Sequence, residues 1–311
     1  MHSQHQLEAL RTAIPYIRAF KGRIFVIKLG GALCEPGRTL DHLVEQLALL
    51  YQLGVKLIVV HGGGEQANAL GERLGVKPKL FAGRRITDAD TLEVVQMAFA
   101  GTVNTNLLAA FRKAHVPGVG LSGLDGELLA VTKRPVQSAS DPRTGESRDV
   151  DFGFVGDIDD VNTRVLHQQL DGGFVPVVCS LAADSAGQIY NVNADTVAAR
   201  IAVAIEAAKY FLVSNVDGVM RDVRDPSTLQ SYLDLTELRE LIDSGAIGDG
   251  MLPKLAACIS ALEGGVPRVH IINGTAQDTL LGEVFTNEGC GTLLVKSREA
   301  NNEVAPSAAD P

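Results

Sequence analysis

Residues 23–64 read RIFVIKLGGALCEPGRTLDHLVEQLALLYQLGVKLIVVHGGG. The stretch contains two short apolar runs, IFVI and LIVV, with an amphipathic helical pattern between them. An apolar run, a helix and a second apolar run are the units of a parallel βαβ connection. The stretch therefore predicts an α/β protein with a parallel sheet.

The same alternation continues toward the C-terminus, where VPVV, YFLV and RVHII form further apolar runs. Runs that are apolar at every position are typical of parallel strands covered by helices on both faces. We therefore expect a three-layer α/β/α sandwich around a mainly parallel central sheet. The polar segment between Pro135 and Val150 predicts a surface loop or a long hairpin.

The two chain ends differ from this pattern. Residues 1–22 predict an amphipathic helical arm, which either docks on its own subunit or pairs with the arm of a neighbouring subunit. Pro15 is expected to kink or restart this helix. Residues 297–311 are rich in Ala, Ser, Pro and acidic residues, and they predict a disordered tail. The apolar stripe of the arm consists of Leu7, Leu10, Ile14, Ile17 and Phe20.

The composition excludes several classes of protein. The 311 residues include 28 Lys+Arg and 37 Asp+Glu, a net charge of −9, which disfavours binding to nucleic acid or to anionic membranes. The four cysteines form no CxxC pair and indicate a reducing compartment. We see no secretion signal and no membrane span, and we expect a cytoplasmic protein.

The first candidate binding turn follows the first predicted strand. Lys28 lies at the end of that strand and is followed by Gly30 and Gly31. Glycines at the carboxyl end of a parallel strand let backbone N–H groups approach a phosphate. Taken alone, the pattern also fits a tight turn with a solvated lysine.

The second candidate turn is HGGGEQA, residues 61–67. It matches the spacing of a dinucleotide-binding fingerprint, but it follows the second predicted strand and lacks the downstream acidic residue of that motif. Gly63 and Gly64 suit close contact with an anionic or planar ligand. Arg85 could pair with a carboxylate of that ligand, or form a surface ion pair with Asp88 or Asp90.

Three later segments place polar residues beside predicted strands or helices. YNVNAD, residues 190–195, opens an apolar helix with more polar groups than a helix cap needs. SNVDGV, residues 214–219, follows a strand, and GDGMLPK, residues 248–254, delivers Lys254 into the first turn of a helix. The chain contains no GxxxxGK[ST] phosphate-binding motif, no catalytic loop of the common protein kinases, no pair of metal-binding histidines and no GxSxG motif.

Residues 23–295 resemble the amino acid kinase family through ten motifs in the same order. The motifs are IKLGG, VVHGGG, GRRIT, MAFAGTVNTNLL, GLSGLDG, FGFVGDI, YNVNAD, SNVDGV, GDGMLPK and EVFTNEGCGTLL. They are most similar to the members that phosphorylate N-acetyl-L-glutamate in arginine biosynthesis. The resemblance implies one kinase domain over residues 23–296, with an acyl-amino-acid-binding lobe at 23–180 and a nucleotide-binding lobe at 181–296.

The resemblance also implies roles for matched residues. Lys28 and Lys254 would be catalytic, with Asp195 holding both ammonium groups. Transfer would use ATP with Mg²⁺, which would arrive with the nucleotide and take no ligand from the protein. The substrate-binding residues would be Gly63, Gly64, Arg85, Asn191 and Asn193. The nucleotide-binding residues would be Gly30, Gly31, Ser214, Asn215, Asp217, Gly250 and Met251.

Two readings remain beside this one: a kinase for a related carboxylate, such as glutamate or a carrier-linked aminoadipate, and a non-catalytic amino-acid sensor of the same fold. The family often has Asp at position 215 and Asp-Gly-Arg at 273–275, where this chain has Asn215 and Asn-Gly-Thr. The 273–275 segment lies near the effector site of arginine-inhibited members, and the arm resembles the helix that links dimers into hexamers in those members. The resemblance thus implies a homodimer through the N-terminal lobe, with a hexamer and arginine inhibition left open.

Overall fold

The computed structural model describes residues 11, 13–140, 145–222, 224–248, 250–286 and 289–298. The strands, in chain order, are β1 (Ile24–Leu29), β2 (Lys56–His61), β3 (Lys79–Phe81), β4 (Arg84–Ile86), β5 (Gly118–Ser122), β6 (Leu129–Lys133), β7 (Gln137–Ser140), β8 (Ser147–Val150), β9 (Gly156–Val161), β10 (Val175–Cys179), β11 (Leu181–Ala183), β12 (Ile189–Asn191), β13 (Lys209–Ser214), β14 (Tyr232–Asp234), β15 (Val269–Asn273) and β16 (Thr292–Val295).

The helices are α1 (13–20), α2 (Arg38–Gln52), α3 (Gly64–Leu74), α4 (Ala89–Gln96), α5 (Asn104–Lys113), α6 (Arg164–Asp171), α7 (Ala194–Ala204), α8 (Leu235–Asp243), α9 (Leu252–Glu263) and α10 (Thr279–Phe285). A π-helical segment, Met97–Val103, joins α4 to α5.

Eight strands form the central sheet, in the order β14-β16-β15-β13-β1-β2-β10-β5. Every neighbouring pair is parallel except β15 and β16. The apolar runs at the centre of the sheet form β1, β2, β10, β13 and β15, as predicted.

Both faces of the sheet are buried because side chains alternate between two apolar clusters. Phe25 and Ile27 of β1 pack with α2, α5 and α10, whereas Val26 packs with α6, α7, α8 and α9. All three side chains have no exposed surface. The predicted three-layer α/β/α sandwich is confirmed.

A second sheet, in the order β12-β11-β6-β9, and two hairpins, β3–β4 and β7–β8, lie outside this frame. Phe81, Val150, Phe152 and Val155 form a small apolar cluster that joins the two hairpins. The β7–β8 pair confirms the predicted hairpin between Pro135 and Val150. The second sheet was not predicted, because its strands are short and partly polar.

The continuous helix over Ala89–Lys113 is long and apolar enough to cross a membrane by length and composition alone. Its apolar residues Val103, Leu107 and Phe111 are buried in the cluster that contains β1 and α2. Such packing is consistent with the core of a soluble protein.

The chain ends are described in part. In α1, Tyr16 packs edge-on against Phe285, and Phe20 packs against Phe25 of the same subunit. At the other end, Arg298 pairs with Glu237 and lies over the Tyr232 ring, within the segment predicted as tail. Residues 1–10 of the predicted arm and 299–311 of the predicted tail lie outside the described residues.

Candidate active site

The candidate site lies where adjacent parallel strands end. The backbone N–H of Gly30, after β1, donates to Val213 O of β13 at 3.0 Å. The N–H of Gly274, after β15, donates to Ser214 O at 2.8 Å. Because β2 is the other neighbour of β1, the loops after four strands meet at one edge of the sheet. The predicted residues on these loops are therefore brought together.

Lys28 and Asp195 form a buried ion pair in this edge. The Lys28 Nζ lies 2.7 Å from Asp195 Oδ1, and the two side chains are 9% and 10% exposed. Lys28 is near the end of β1, and Asp195 is in the first turn of α7. The alternative of a solvated Lys28 is thus wrong, because the lysine is held by a carboxylate inside the protein.

Lys254 approaches the same region from the first turn of α9. Its Nζ donates to Gly250 O at 3.4 Å, whereas Asp195 pairs with Lys28. Burial raises the pKa of the Cys258 thiol, one helical turn further along α9; the Asp195 charge adds to this rise, and the charges of Lys28 and Lys254 oppose it. The charges of both lysines and of Asp195 therefore all act on one buried thiol.

The two glycine turns lie close to each other. A Cβ on Gly31 would lie 3.5 Å from both Gly63 Cα and Gly64 N. A Cβ on Gly63 would lie 2.8 Å from Phe99 Cδ1 and 3.0 Å from Val103 Cγ2, on the π-helical segment. Gly63 is therefore needed for the close packing of the second turn on the π-helical segment.

His61 anchors the second turn from beneath. It has no exposed surface, and its Nδ1 lies 2.7 Å from Gly62 O. The Asn104 amide nitrogen lies 3.0 Å from His61 Nε2 and donates to Val177 O. The ring therefore donates from Nδ1 and accepts at Nε2, as a neutral imidazole does. Burial lowers the pKa of His61 to about 4, which keeps it neutral.

Arg85 of β4 reaches the second glycine turn. Its Nη2 donates to Gly64 O at 3.0 Å and to Asn68 Oδ1. Asp88 pairs with Lys79 at 2.6 Å. The predicted alternative of an Arg85 surface ion pair with Asp88 is thus not what the structure shows. Burial lowers the pKa of Arg85 from its ordinary value.

Asn193 and Asn191 make hydrogen bonds to different elements. Asn193 Oδ1 accepts from the N–H groups of Asp195 and Thr196, at 2.8 and 3.0 Å, and so caps the helix. Asn191 Nδ2 donates to Thr87 Oγ1 at 3.4 Å, beside the hairpin that carries Arg85. The predicted cap among these polar residues is confirmed.

The predicted nucleotide side begins at the end of β13. Ser214 Oγ donates to Asn215 Oδ1 at 3.3 Å. The Asn273 amide donates to Asp217 Oδ1 at 2.7 Å, and its oxygen accepts from the N–H and the hydroxyl of Thr275. Gly250 and Met251 precede α9. The two positions that depart from the family pattern, Asn215 and the 273–275 segment, therefore flank Asp217.

Sequence reasoning missed three residues that hold the site together: His61, Asn104 and Gln66. Gln66 Nε2 donates to Gly31 O at 2.8 Å and to Glu35 Oε1 at 2.7 Å. His61 carried a usable signal, since it is a polar residue that ends an otherwise apolar strand. The bonds of Asn104 and Gln66 join distant segments and leave no local pattern.

The donor groups at this edge fit a nucleotide that carries its own metal. Lysine ammonium groups and backbone N–H groups at glycine turns bind phosphate oxygens. Within the described residues, no group of three or more His, Cys, Asp or Glu side chains is placed to hold a metal ion. Mg²⁺ commonly keeps several waters and is held by one or two carboxylates together with substrate phosphates.

The fold and this edge define a class: an α/β protein with lysines and glycine turns where its parallel strands end. A family model described as the amino acid kinase family matches residues 23–273, and this chain belongs to that family.

Two named relatives and one solved structure illustrate the likeness. An acetylglutamate kinase from Myxococcus xanthus (strain DK1622) is 43% identical over 93% of this chain and 94% of its own length. One from Methanocaldococcus jannaschii is 40% identical over 93% and 96%. The structure of an N-acetylglutamate synthase from Neisseria gonorrhoeae, complexed with coenzyme A and N-acetyl-glutamate, is 32% identical with a TM-score of 0.79. The match covers 94% of this chain and 63% of the synthase chain.

Proposed function

We propose that this protein transfers the γ-phosphoryl group of ATP to the γ-carboxylate of N-acetyl-L-glutamate, giving ADP and an acyl phosphate. The observation that carries the proposal is the buried Lys28–Asp195 pair, at 2.7 Å, beside two glycine turns that lie close to each other. Relatives about 40% identical over nearly the whole chain are named acetylglutamate kinase, which supports the same substrate. We further propose that the reaction belongs to arginine biosynthesis in the cytoplasm.

The chemistry asks for charge stabilisation and positioning. A γ-carboxylate with an ordinary pKa of about 4.3 is ionised at neutral pH, so its oxygen needs no general base. The obstacle is the approach of two anions, and the transition state spreads charge over the phosphoryl oxygens. Lys28 and Lys254 would offset this charge, and Asp195 fixes the Lys28 ammonium. Mg²⁺ bound to the nucleotide would neutralise further phosphate charge.

The nucleotide would lie against the first glycine turn and the acceptor against the second. On the acceptor side, the half-buried Arg85 guanidinium suits a carboxylate of the acyl amino acid. The proposed acceptor residues are Gly63, Gly64, Arg85, Asn191 and Asn193. The proposed nucleotide residues are Gly30, Gly31, Ser214, Asn215, Asp217, Gly250 and Met251. On this basis we assign residues 23–180 to the acceptor lobe and 181–296 to the nucleotide lobe.

Assembly through the acceptor lobe is part of the proposal. Among the described strands, β5 lies at one end of the central sheet and pairs on one side only, with β10. An edge strand presents unpaired N–H and C=O groups that a second copy can use. We therefore propose a homodimer through this lobe, with the residue 1–22 arm able to link dimers into a hexamer.

The likeness to the synthase chain favours one alternative, an amino-acid-binding protein without kinase activity. An assay that traps acyl phosphate as hydroxamate distinguishes the two. We expect ATP- and Mg²⁺-dependent hydroxamate with N-acetyl-L-glutamate, and much less with glutamate, aspartate or N-acetylaspartate. A Lys28→Met variant serves as the control. Binding of N-acetyl-L-glutamate without hydroxamate from any acceptor would overturn the kinase proposal.

A further inference from the structure

The close approach of the two glycine turns has a geometric consequence for the proposed reaction. Gly31 lies in the turn assigned to the nucleotide, and Gly63 and Gly64 lie in the turn assigned to the acceptor. Since the turns are close enough that a Cβ on Gly31 would contact the backbone of Gly63 and Gly64, their relative position would set how far apart the γ-phosphoryl and the acceptor carboxylate lie. A side chain that fixes the relative position of the two turns would also fix the distance between the reacting groups.

Gln66, in the first turn of α3, joins the two turns. Its amide nitrogen donates to Gly31 O at 2.8 Å and to Glu35 Oε1 at 2.7 Å. Because both partners are acceptors, the nitrogen must face them, and the orientation of the amide is decided. Gln66 follows Gly64 by two residues, so these bonds attach the acceptor turn directly to the nucleotide turn and its continuation.

The amide oxygen of Gln66 is placed less favourably than its amide nitrogen. Its buried Oε1 has no hydrogen-bond partner among the residues that the structure describes, and it lies 3.3 Å from where a Gly31 Cβ would be. An unpaired buried acceptor is unfavourable, and an apolar side chain of similar size would avoid it. The bonds to Gly31 and Glu35 must therefore supply something that simple packing would not.

We propose that Gln66 is a positioning residue for phosphoryl transfer, which holds the nucleotide turn and the acceptor turn at the reacting distance through Gly31 and Glu35. The proposal rests on the function proposed above. Reacting atoms must come within about 3–3.5 Å in good alignment, and a misplacement of about 1 Å can cost a hundredfold in rate. Gln66 itself is assigned no contact with either substrate. Its loss should therefore lower kcat while leaving both KM values nearly unchanged.

The test uses Gln66→Leu in the full-length protein, with Gln46→Leu as the matched control. Gln46 is also a buried glutamine, and its amide nitrogen has no partner in the described part of the chain, but its oxygen accepts from the Leu280 and Leu281 N–H groups. We expect Gln66→Leu to lower kcat about 10- to 100-fold, with both KM values within threefold of wild type. Gln46→Leu should keep kcat within threefold. Equal loss of kcat in both variants, or no loss in Gln66→Leu, would overturn the proposal.

A second measurement reports on the two glycine turns independently of catalytic activity. Amide hydrogen exchange at residues 31–35 and 63–67 should quicken at least tenfold in Gln66→Leu and stay unchanged in Gln46→Leu. Gln66→Glu should also lower kcat at least tenfold, because its carboxylate cannot donate to Gly31 O and faces the Glu35 carboxylate. Failure of either expectation counts against the link. If wild type phosphorylates no acceptor, the proposed function fails, and the exchange experiment still decides whether Gln66 joins the turns.

Discussion

Replacing both members of the Lys28–Asp195 pair with apolar side chains should remove activity without removing stability. The two groups are 2.7 Å apart with side chains about nine-tenths buried. In Lys28→Met, the carboxylate stays buried without its cation; in Asp195→Leu, the ammonium stays buried without its anion. The double variant Lys28→Met/Asp195→Leu leaves neither charge in the site.

The expected free energies follow from this burial. Removing one partner of a buried ion pair costs about 3–5 kcal/mol of unfolding free energy, because the remaining charge is left uncompensated. Replacing a whole pair by apolar groups of similar volume ranges from neutral to about 1–4 kcal/mol stabilising. Asp195 lies in the first turn of α7, where a carboxylate contributes about 0.3–1 kcal/mol. The double variant should therefore unfold at a free energy between about 1 kcal/mol below and about 4 kcal/mol above that of wild type.

Urea unfolding of the four proteins measures this directly, and the hydroxamate assay measures kcat on the same samples. All three variants should lose at least about a hundredfold in kcat, since each lacks a positioned charge. If the double variant is as unstable as either single variant, the pair stabilises the fold by more than it costs to bury. The reasoning that it is retained for catalysis would then be refuted.

Four further outcomes are expected. Lys254→Ala should lower kcat by about 100- to 1000-fold, because its ammonium would offset charge that develops during transfer; an unchanged kcat would remove it from the catalytic residues. Arg85→Ala should mainly raise KM for the acyl acceptor and leave KM for ATP unaltered in steady-state kinetics. Burial lowers the pKa of His61 to about 4, against about 6.5 in the unfolded chain, so the unfolded state binds the proton first. The His61 contribution to stability is thus present above pH 6.5 and is lost as the pH falls toward 4, by up to about 3 kcal/mol; urea unfolding of His61→Asn should show a correspondingly weaker pH dependence. Deleting Met1–Phe20 should convert a hexamer into active dimers by light scattering, and an equal mass per particle before and after deletion would contradict arm-mediated assembly.

The central sheet could be predicted because its signal is local. IFVI, LIVV and YFLV are each apolar at consecutive positions, and the structure places them side by side as β1, β2 and β13. The second sheet could not be predicted in the same way. Its strand β9, GDIDDV, carries three acidic residues, and it is held by pairing with β6. Pairing between such segments depends on tertiary context that a window of sequence does not contain.

In the candidate site, too, local patterns could be predicted and contacts between distant segments could not. Glycines after apolar strands identified both turns, because parallel strands end at one edge. The state of Lys28 could not be decided from its neighbours, since its partner Asp195 belongs to a helix far along the chain. The Gln66 hydrogen bonds could not be predicted either, because their partners are more than 30 residues away in the sequence. The π-helical segment that brings Phe99 and Val103 against Gly63 also has no reliable sequence signal. Its sequence, MAFAGTV, is part of a motif shared with the family, but the motif does not predict a π-helix.

The two lysines of the site differ in a way that bears on how transfer is driven. The charge of Lys28 is offset by Asp195 at 2.7 Å, so this pair adds little net positive charge to the edge, and its main contribution is a fixed set of N–H donors. Lys254 is partly exposed, and the group it contacts within the described part of the chain is a carbonyl oxygen, at 3.4 Å, which does not neutralise its charge. In a protein of net charge −9, the attraction for a polyanionic nucleotide must be local. Positioning would thus fall mainly to Lys28, and charge compensation for the moving phosphoryl group mainly to Lys254.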